Sequence, residues 1–451
     1  MGQQGIASSG TLDKTFNETG ILKFPIPAIS GAAPDAVLAL PGGKVLAVVS
    51  LSGRNAGYAV TRLNADGSLD NSFGANQDGV VVVPLENFEF DHIFGVSPTE
   101  SGGWVIFAQA SLAGSHGLMI VRHHEDGRLD ESLNGTGILF IPYEDYGVSG
   151  HTGVMVSATR SGDKAAEGGK QASAAGSPSV IVQPDGKLLL VGNVGDEFGK
   201  MKGIVLRRNK DGSPDKTFKG RGAAIIELEG FTFDWSSGEG IALQEDGHIL
   251  VCGNFSADEG QTAYVTRLSA VGEVDRGFNG GLAVTVFSPS LINLVAMTVR
   301  KSDGRIIAVG SAFMTRGEPQ KGLIVALNST GSYNLPFNKG KPVFADFVAE
   351  GLSWRRCVTQ TNGSVIVSGS TGDGFVKKEL SIVTACYRSD GSLETAFNGQ
   401  GYVVFDEALS MEGMTDMSMQ GTDRFFVCGN LWKDAEPWPH INGGVLLCYS
   451  A

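Results

Sequence analysis

Hydrophobic and polar positions alternate along the whole chain in short runs that end at glycine-containing turns. One recurring segment places a tight turn before a β-branched or aliphatic run, as in "QPDGKLLLVG" and "QEDGHILVCG". Glycine after Asp or Asn accepts the positive φ that a tight hairpin turn requires, so the segment predicts an antiparallel hairpin. It occurs seven times, and no helical periodicity separates the copies.

A second recurring segment lies out of phase with the first and has the form "DGSLDNSF". One glycine keeps its place in all seven copies, at Gly10, Gly67, Gly127, Gly212, Gly272, Gly331 and Gly391. The steps between these glycines are 57, 60, 85, 60, 59 and 60 residues, so the repeat is regular apart from one insertion. Each repeat predicts four strands: one before the hairpin turn, one after it, one leading into the second motif and one following it.

Seven repeats of four antiparallel strands favour a seven-bladed all-β propeller over a sandwich, because radial repetition protects the sheet edges. The last repeat stops at "LLCYSA" (446–451), before its copy of the second motif. The N terminus supplies that copy as "SGTLDKTF" (9–16). We therefore expect a single propeller over residues 1–451. Its last blade takes three strands from the C terminus and one, near Ile21 to Ile26, from the N terminus, which is a 3+1 clasp.

These two motifs resemble those of the delta-60 repeat family, whose hallmark is a "PDGK" hairpin followed by a "DGSLDxSF" turn. The resemblance covers almost the whole chain and departs in detail: Leu133 replaces the Phe, Asn334 and Glu394 replace the Asp, and the fifth repeat carries Leu335-Pro336. It implies a β-propeller fold and carries no agreed reaction.

The acidic turns of the second motif raise the alternative of a calcium loop. They lack the glycine at the sixth place and the bidentate Glu at the twelfth place of a calcium-binding hand. We therefore expect structural roles, with no metal and no cofactor. The repeated acids accept backbone hydrogen bonds: Asp13, Asp70, Asp130, Asp215 and Asp275. The repeated aromatic residues wedge between blades: Phe16, Phe73, Phe218, Phe278, Phe337 and Phe397.

Charge and composition narrow the function classes. The formal net charge of -13 disfavours nonspecific binding to nucleic acid or to an anionic membrane, and no apolar run is long enough to span a bilayer. The five cysteines lie in apolar segments such as "ILVCGN" and are expected to be reduced and buried. We expect a monomer that is cytoplasmic or exported without a classical signal peptide.

The two faces of such a ring differ in sequence variability. The hairpin face consists of similar short turns, whereas the opposite face holds the blade-to-blade crossovers and the loops between second and third strands, which vary. An insertion at about 146–177, ending in a low-complexity stretch, falls on this crossover face. It is either a flap over a site or an ordinary solvent loop. Variable loops on a rigid scaffold usually carry function.

Two crossovers combine aromatic and acidic residues in nearly the same order, "FEFDH" (88–92) and "FTFDW" (231–235), and a third contains "SWRR" (353–356). Aromatic faces stack on sugars or peptides while carboxylate and guanidinium groups fix orientation. Packing into the seams between blades explains the Phe residues equally well. The candidate ligand-binding residues here are Asp91, His92, Asp234, Trp235, Trp354 and Arg355.

The residue eight positions before each hairpin glycine marks the level at which the innermost strand of that blade begins. For blades one to six these residues are Asp35, Phe94, Pro178, Glu239, Ala296 and Arg355. Asp35, Glu239 and Arg355 are therefore predicted to face the mouth of a central channel. A ring of ion pairs is the alternative to a ligand site.

Two function classes remain open. The first is a noncatalytic binding or interaction scaffold whose ligand, a carbohydrate or a protein, binds the crossover face. The second is an enzyme, such as a lyase or hydrolase, with a polar site at the channel mouth; no nucleophile elbow, metal-binding helix or phosphate-binding loop is present in the sequence. A third interpretation is a secreted or surface interaction protein exported without a leader. Buried carboxylates or a histidine with a perturbed pKa in the channel would favour the enzyme, and a flat aromatic groove would favour the scaffold.

Overall fold

The computed structural model describes residues 8–29, 31, 33–51, 57–145, 180–195, 200–257, 260–286, 291–314, 318–372, 380–434 and 439–451. The insertion at 146–177 lies outside these residues, as do parts of several loops of the crossover face. Within the described chain, the structure consists of seven four-stranded antiparallel sheets, the predicted seven-bladed propeller.

The blades follow the repeats. After β1 (Ile21–Phe24), blade 1 contains β2 (Pro34–Ala39), β3 (Val45–Ser50), β4 (Tyr58–Leu63) and β5 (Val80–Val83). Blade 2 contains β6 (Phe88–Pro98), β7 (Trp104–Leu112), β8 (Ser115–His123) and β9 (Ile138–Pro142). Blade 3 contains β10 (Val180–Val182), β11 (Leu188–Gly195), β12 (Met201–Arg208) and β13 (Ala223–Ile225). Blade 4 contains β14 (Ser236–Leu243), β15 (Ile249–Ala257), β16 (Gly260–Leu268) and β17 (Val284–Val286).

The remaining blades have the same pattern. Blade 5 contains β18 (Leu291–Val299), β19 (Ile306–Phe313), β20 (Lys321–Leu327) and β21 (Val343–Ala345). Blade 6 contains β22 (Leu352–Thr359), β23 (Val365–Thr371), β24 (Ile382–Tyr387) and β25 (Tyr402–Phe405). Blade 7 contains β26 (Met411–Gln420), β27 (Arg424–Lys433), β28 (His440–Ser450) and β1. Short 3-10 turns occur at Pro41–Gly43, Tyr143–Asp145, Asn279–Gly281, Asn338–Gly340 and Phe397–Gly399.

The first strand of each blade forms the inner wall of the ring. These seven strands contact one another from blade to blade all the way round, in the order β2, β6, β10, β14, β18, β22, β26 and back to β2. The crossovers enter the first strands at one end of the channel, and the hairpin turns leave them at the other. Residues at one level of the first strands therefore face a shared central channel.

Blade 7 combines both ends of the chain. Ile21 of β1 pairs with Leu447 of β28, and Phe24 pairs with Gly444. The Gly10 amide donates to the Ser450 carbonyl at 2.8 Å, which extends the junction beyond the strand. This is the three-plus-one arrangement that the repeat phase at the termini predicts.

The repeated turn motif joins neighbouring blades through side chains. Asp70 accepts the Ser72 amide at 3.1 Å and the Arg62 guanidinium at 2.6 Å. That guanidinium also lies 4.5 Å from the centre of the fully buried Phe73 ring. A Cβ on Gly127, whose φ is +92°, would lie 2.9 Å from the Phe73 ring, so the motif glycine of blade 2 accommodates the aromatic wedge of blade 1. The assignment of these acids and aromatic residues to structural roles is confirmed.

The five cysteines are free and buried, as the sequence predicts. Among the described residues, no helix is long and apolar enough to cross a membrane.

Candidate functional site

In the part of the chain that the structure describes, six of the seven inner strands carry a β-bulge at one level of the channel. A bulge leaves one residue without a cross-strand partner and re-aims its side chain. The unpaired residues at this level are Asp35, Phe94, Glu239, Val295, Arg355 and Thr415. Counting back from the hairpin glycine finds four of the six. In blade 5 the count gives Ala296, one residue after the bulged Val295. In blade 3 the count gives Pro178, which lies outside the described residues.

Polar side chains from the neighbouring blade satisfy the backbone at these bulges. The Gly238 amide, just before the bulged Glu239, donates to Asn193 Oδ1 at 2.8 Å. The Leu294 amide donates to Asn254 Oδ1 at 2.8 Å, and the Met414 amide donates to Ser370 Oγ at 3.0 Å. Because buried amides that lose a ladder partner must find another acceptor, these contacts fix the bulges in place.

One polar cluster crosses the channel. Arg356 of blade 6 donates from Nε to Asp416 Oδ1 of blade 7 at 2.8 Å, and from Nη2 to the Phe94 carbonyl of blade 2 at 3.3 Å. Blades 6 and 2 are separated by blades 7 and 1, so the second bond spans the channel. Asp416 also accepts the Val37 amide of blade 1 at 3.1 Å. Four blades are thus joined at one point.

Asp35 and His92 lie beside this bridge. Asp35 Oδ2 accepts the Ser50 amide at 2.7 Å. Burial raises the pKa of Asp35, and a positive charge on His92 would oppose that rise. Burial lowers the pKa of His92, and Asp35 opposes that shift, whereas Arg355 and Arg356 add to it. The imidazole is therefore held neutral at pH 7.

Arg355 faces the channel without a carboxylate partner. It is the bulged residue between Trp354 and Arg356, is half-buried, and makes no ion pair within 4.0 Å in the described part of the chain. Burial, followed by repulsion from Arg356, lowers its pKa to about 10. Its charge contributes to the lowered pKa of His92 of blade 2.

Asp91, the remaining member of the group, is at the exposed end of the site. Its Oδ2 accepts a hydrogen bond from Gln109 at 3.4 Å and lies 4.0 Å from His116 Nδ1. The structure therefore brings together four of the eight sequence-predicted residues, Asp35, Asp91, His92 and Arg355. It adds Arg356 and Asp416.

The residues predicted on blade 4 are separated from this cluster by at least one blade on either side. Glu239 is 3% exposed, and its burial raises its carboxyl pKa to about 8. Asp234 is exposed and pairs with Lys200 at 3.4 Å. Trp235 is half-buried and precedes β14. Blade 4 lies opposite blades 7 and 1 in a seven-membered ring, and within the described chain none of these three residues forms a hydrogen bond or an ion pair with the cluster.

Trp354, which the sequence places among the candidate ligand-binding residues, does not reach the surface of the channel. Its side chain is completely buried in the seam between blades 5 and 6 and lies 6.1 Å from the Phe347 ring, centroid to centroid. Gly322 of β20 makes this possible, because a Cβ at that position would lie 2.3 Å from Trp354 Nε1. The indole fills space that a glycine on the neighbouring blade leaves open.

This seam gives a stability prediction. Gly322→Ala is expected to destabilise the fold by about 1–3 kcal/mol, because the new methyl group overlaps Trp354 in a packed core. Urea unfolding measures the change. Gly195→Ala, also on a strand but with no atom near the new Cβ, is the matched control and should stay within about 0.5 kcal/mol of the parent. Equal effects at both sites would contradict the seam packing described here.

The first of the two aromatic crossovers differs from its predicted form, whereas residues 231–235 belong to no strand and precede β14. Residues 88–92 belong to the long inner strand β6 and are not a loop, because Phe88 pairs with Leu112 of β7. Phe88 lies 5.7 Å from Phe140, and Phe231 lies 5.5 Å from Phe255, between ring centroids. Phe88 and Phe231 are partly buried and pack against the apolar core, which fits the packing alternative that the sequence left open.

A serine, a histidine and an aspartate also meet near the crossover face. Ser111 Oγ lies 2.7 Å from His116 Nδ1, and Asp91 Oδ2 lies 4.0 Å from the same nitrogen. A nucleophile relay requires the serine and the aspartate on different ring nitrogens. The arrangement therefore does not activate Ser111.

Sequence reasoning missed Arg356 and Asp416. Asp416 follows the bulged Thr415, but the seventh hairpin, "GTDR", has no glycine at the counting position. An alignment of the repeats by their length identifies both residues. Arg356 and Asp416 are one repeat length apart, and each directly follows a bulged residue.

The fold and the channel define the protein as a seven-bladed β-propeller. A family model described as "Domain of unknown function (DUF5122) beta-propeller" matches residues 42–73, 183–218 and 244–278. These matches fall in blades 1, 3 and 4 and support a β-propeller family. A comparison with curated proteins found no match.

Several solved structures are similar to this chain at low identity. An ulvan lyase of polysaccharide lyase family PL25, bound to a saccharide, is 10% identical with a TM-score of 0.47, covering 93% of this chain and 97% of that one. A protein of unknown function from Dyadobacter fermentans is 12% identical with a TM-score of 0.38, covering 96% and 100%. A GH43 endo-arabinanase from Bacillus licheniformis is 16% identical with a TM-score of 0.33, covering 68% and 97%. These likenesses concern the fold alone.

Proposed function

We propose that the protein is a noncatalytic binding scaffold that takes a carbohydrate at the crossover-face mouth of its central channel. The observation that carries the proposal is the cluster of Asp35, His92, Arg355, Arg356 and Asp416, which four blades contribute to one level of the channel. Arg355 is the fourth of the eight residues of β22, so this level lies about midway along the channel wall. We place the ligand on its crossover-face side because the variable loops lie there.

The shape and chemistry of the mouth favour a small polar ligand. Stable protein interfaces bury roughly 1,600 Å² in total around an apolar centre. The groups here are imidazole, carboxylate and guanidinium, and they lie inside a ring. Such groups form hydrogen bonds with sugar hydroxyls, and a narrow channel mouth accepts one or a few sugar units more readily than a protein surface.

A parallel screen of glycans and peptides tests this function. We expect the purified chain to bind one or more saccharides, and His92→Ala to weaken that binding by about 1–3 kcal/mol. Arg128→Gln, on an exposed turn of the hairpin face, is the control and should leave affinity unchanged. Binding of peptides alone, or equal losses in both variants, would contradict the proposal.

An enzyme at the same mouth is the second candidate, and the electrostatic interaction between His92 and Asp35 favours it. An imidazole that burial keeps neutral at pH 7 can accept a proton, and an adjacent carboxyl can stabilise the imidazolium that results. A saccharide found by the screen should then be incubated with the protein and followed for new reducing ends. Cleavage that His92→Ala abolishes would replace the scaffold with a lyase or hydrolase.

A further inference from the structure

Arg355 is half-buried, and no carboxylate lies within ion-pair distance of it in the described part of the chain. Its own strand places it at a bulge, so its side chain leaves the ladder and enters the channel. Taking a charge out of water destabilises the folded chain unless a partner compensates. At this position the channel therefore lacks a negative charge that would compensate the Arg355 guanidinium.

The nearby carboxylates are already engaged elsewhere. Asp416 accepts from Arg356 and from the Val37 amide. Asp35 accepts the Ser50 amide and neighbours His92. Asp91 contacts Gln109 at the exposed end of β6. No described carboxylate lies within ion-pair distance of Arg355, so the fold itself does not neutralise it.

Arg356 has a different role from its neighbour. It is fixed by Asp416 and by the Phe94 carbonyl across the channel. This bridge holds the backbone on either side of the bulge and adds positive potential next to Arg355. Arg356 is therefore a positioning residue, and Arg355 is the cation left open to a ligand.

We propose that Arg355 binds an anionic group of the saccharide, so that the ligand is an acidic sugar carrying a carboxylate or a sulfate. The inference rests on the proposed function and narrows its substrate class. A planar guanidinium offers a pair of parallel N–H donors that match two oxygens of either group. The neutral His92 imidazole adds no competing positive charge and can hydrogen-bond a neighbouring hydroxyl.

The test compares matched oligosaccharides by calorimetry. The probes are a uronate trisaccharide, its counterpart with every carboxylate reduced to a hydroxymethyl group, and a sulfated form of that neutral trisaccharide. We expect the neutral form to bind the parent protein about tenfold or more weakly than at least one acidic form. A comparison of the uronate with the sulfated trisaccharide then shows whether the site prefers a carboxylate or a sulfate.

Substitutions then assign the effect to one side chain. Arg355→Gln should remove the preference for the acidic form, and Arg355→Lys should keep part of it because the charge remains while the fork is lost. Arg128→Gln should change nothing. Without ligand, the melting temperature of Arg355→Gln should equal or exceed that of the parent, because a half-buried charge without an ion-pair partner is removed.

The possible outcomes distinguish failure of the acidic-sugar inference from failure of the proposed carbohydrate-binding function. Equal binding of neutral and acidic forms to the parent, or an unchanged preference in Arg355→Gln, overturns the inference and leaves a carbohydrate scaffold standing. A sharp fall in the melting temperature of both Arg355 variants also overturns it, because Arg355 would then hold the fold together. If none of the saccharides in the wider glycan screen binds, the proposed function fails as well.

Discussion

A chain that begins at Gly31, without β1, is expected to lose at least about 5 kcal/mol of its free energy of unfolding. The deletion removes the pairing of Ile21–Phe24 with β28 and takes away the buried rings of Phe16 and Phe24. Loss of one buried Phe side chain alone typically costs about 3–5 kcal/mol. It also removes Asp13, which pairs with Arg424 at 2.6 Å. The free edge of β28 then becomes a site for association between chains.

Urea unfolding and size-exclusion chromatography measure these two consequences. A synthetic peptide of residues 8–29, added in excess, should restore part of the lost stability by occupying the vacant edge. Lys23→Ala is the matched point control, since Lys23 lies on the same strand and its ion pair with Glu407 is largely exposed; it should cost at most about 1 kcal/mol. A truncated chain that unfolds at the parent's urea concentration would show that the clasp does not stabilise the ring.

The repeat made most of the fold predictable from the sequence. Gly127 and Phe73 belong to motifs in consecutive repeats, and each has a local physical reason: a positive φ for the glycine and an apolar surface for the ring. These local requirements can be recognised within a single repeat, and the same motif recurs in all seven repeats. Blade number, strand order and the shared terminal blade follow from counting them.

Contacts between repeats were harder to predict. Trp354 looked like a ligand-contacting residue because it lies beside two arginines in a variable segment, and the space it fills is created by Gly322, on another blade. The segment at 88–92 alternates aromatic and polar residues, so it suits a strand as well as an exposed crossover. Only the pairing with β7 decides between these. Long-range pairing of this kind is not encoded in either segment alone.

Part of the site was predictable because it repeats. Asp35 and Arg355 occupy the level that counting from the hairpin glycine identifies, since the bulge recurs there. The bridge of Arg356 to Asp416 and to the Phe94 carbonyl depends on side-chain length and on the width of the channel. Those quantities appear only when the ring is closed.

Glu239 offers a strong test of the channel electrostatics. It occupies the bulge of blade 4, is 3% exposed and has no cation beside it within ion-pair distance among the described residues. Burial raises its pKa from 4.5 to about 8, and the Ser237 hydroxyl offsets part of that rise. The folded chain therefore holds this carboxyl protonated at pH 7, whereas the unfolded chain ionises it. The folded state binds the extra proton, so stability falls as the pH rises from about 4.5 to about 8.

Glu239→Gln is therefore expected to stabilise the protein by about 3 kcal/mol at pH 7, because the amide keeps the shape of the protonated carboxyl and has no charge to release on unfolding. The gain should shrink toward zero near pH 4, where the carboxyl is protonated in both states. Urea unfolding of parent and variant at pH 4, 5.5, 7 and 8.5 gives the difference directly, free of the other titrating groups that the two proteins share. Glu86→Gln, at an exposed position, is the control and should shift stability by less than about 0.5 kcal/mol at every pH. A Glu239→Gln variant with the parent's stability at pH 7 and above would mean that the carboxyl ionises freely in the folded ring, and that the channel wall at blade 4 is open to water.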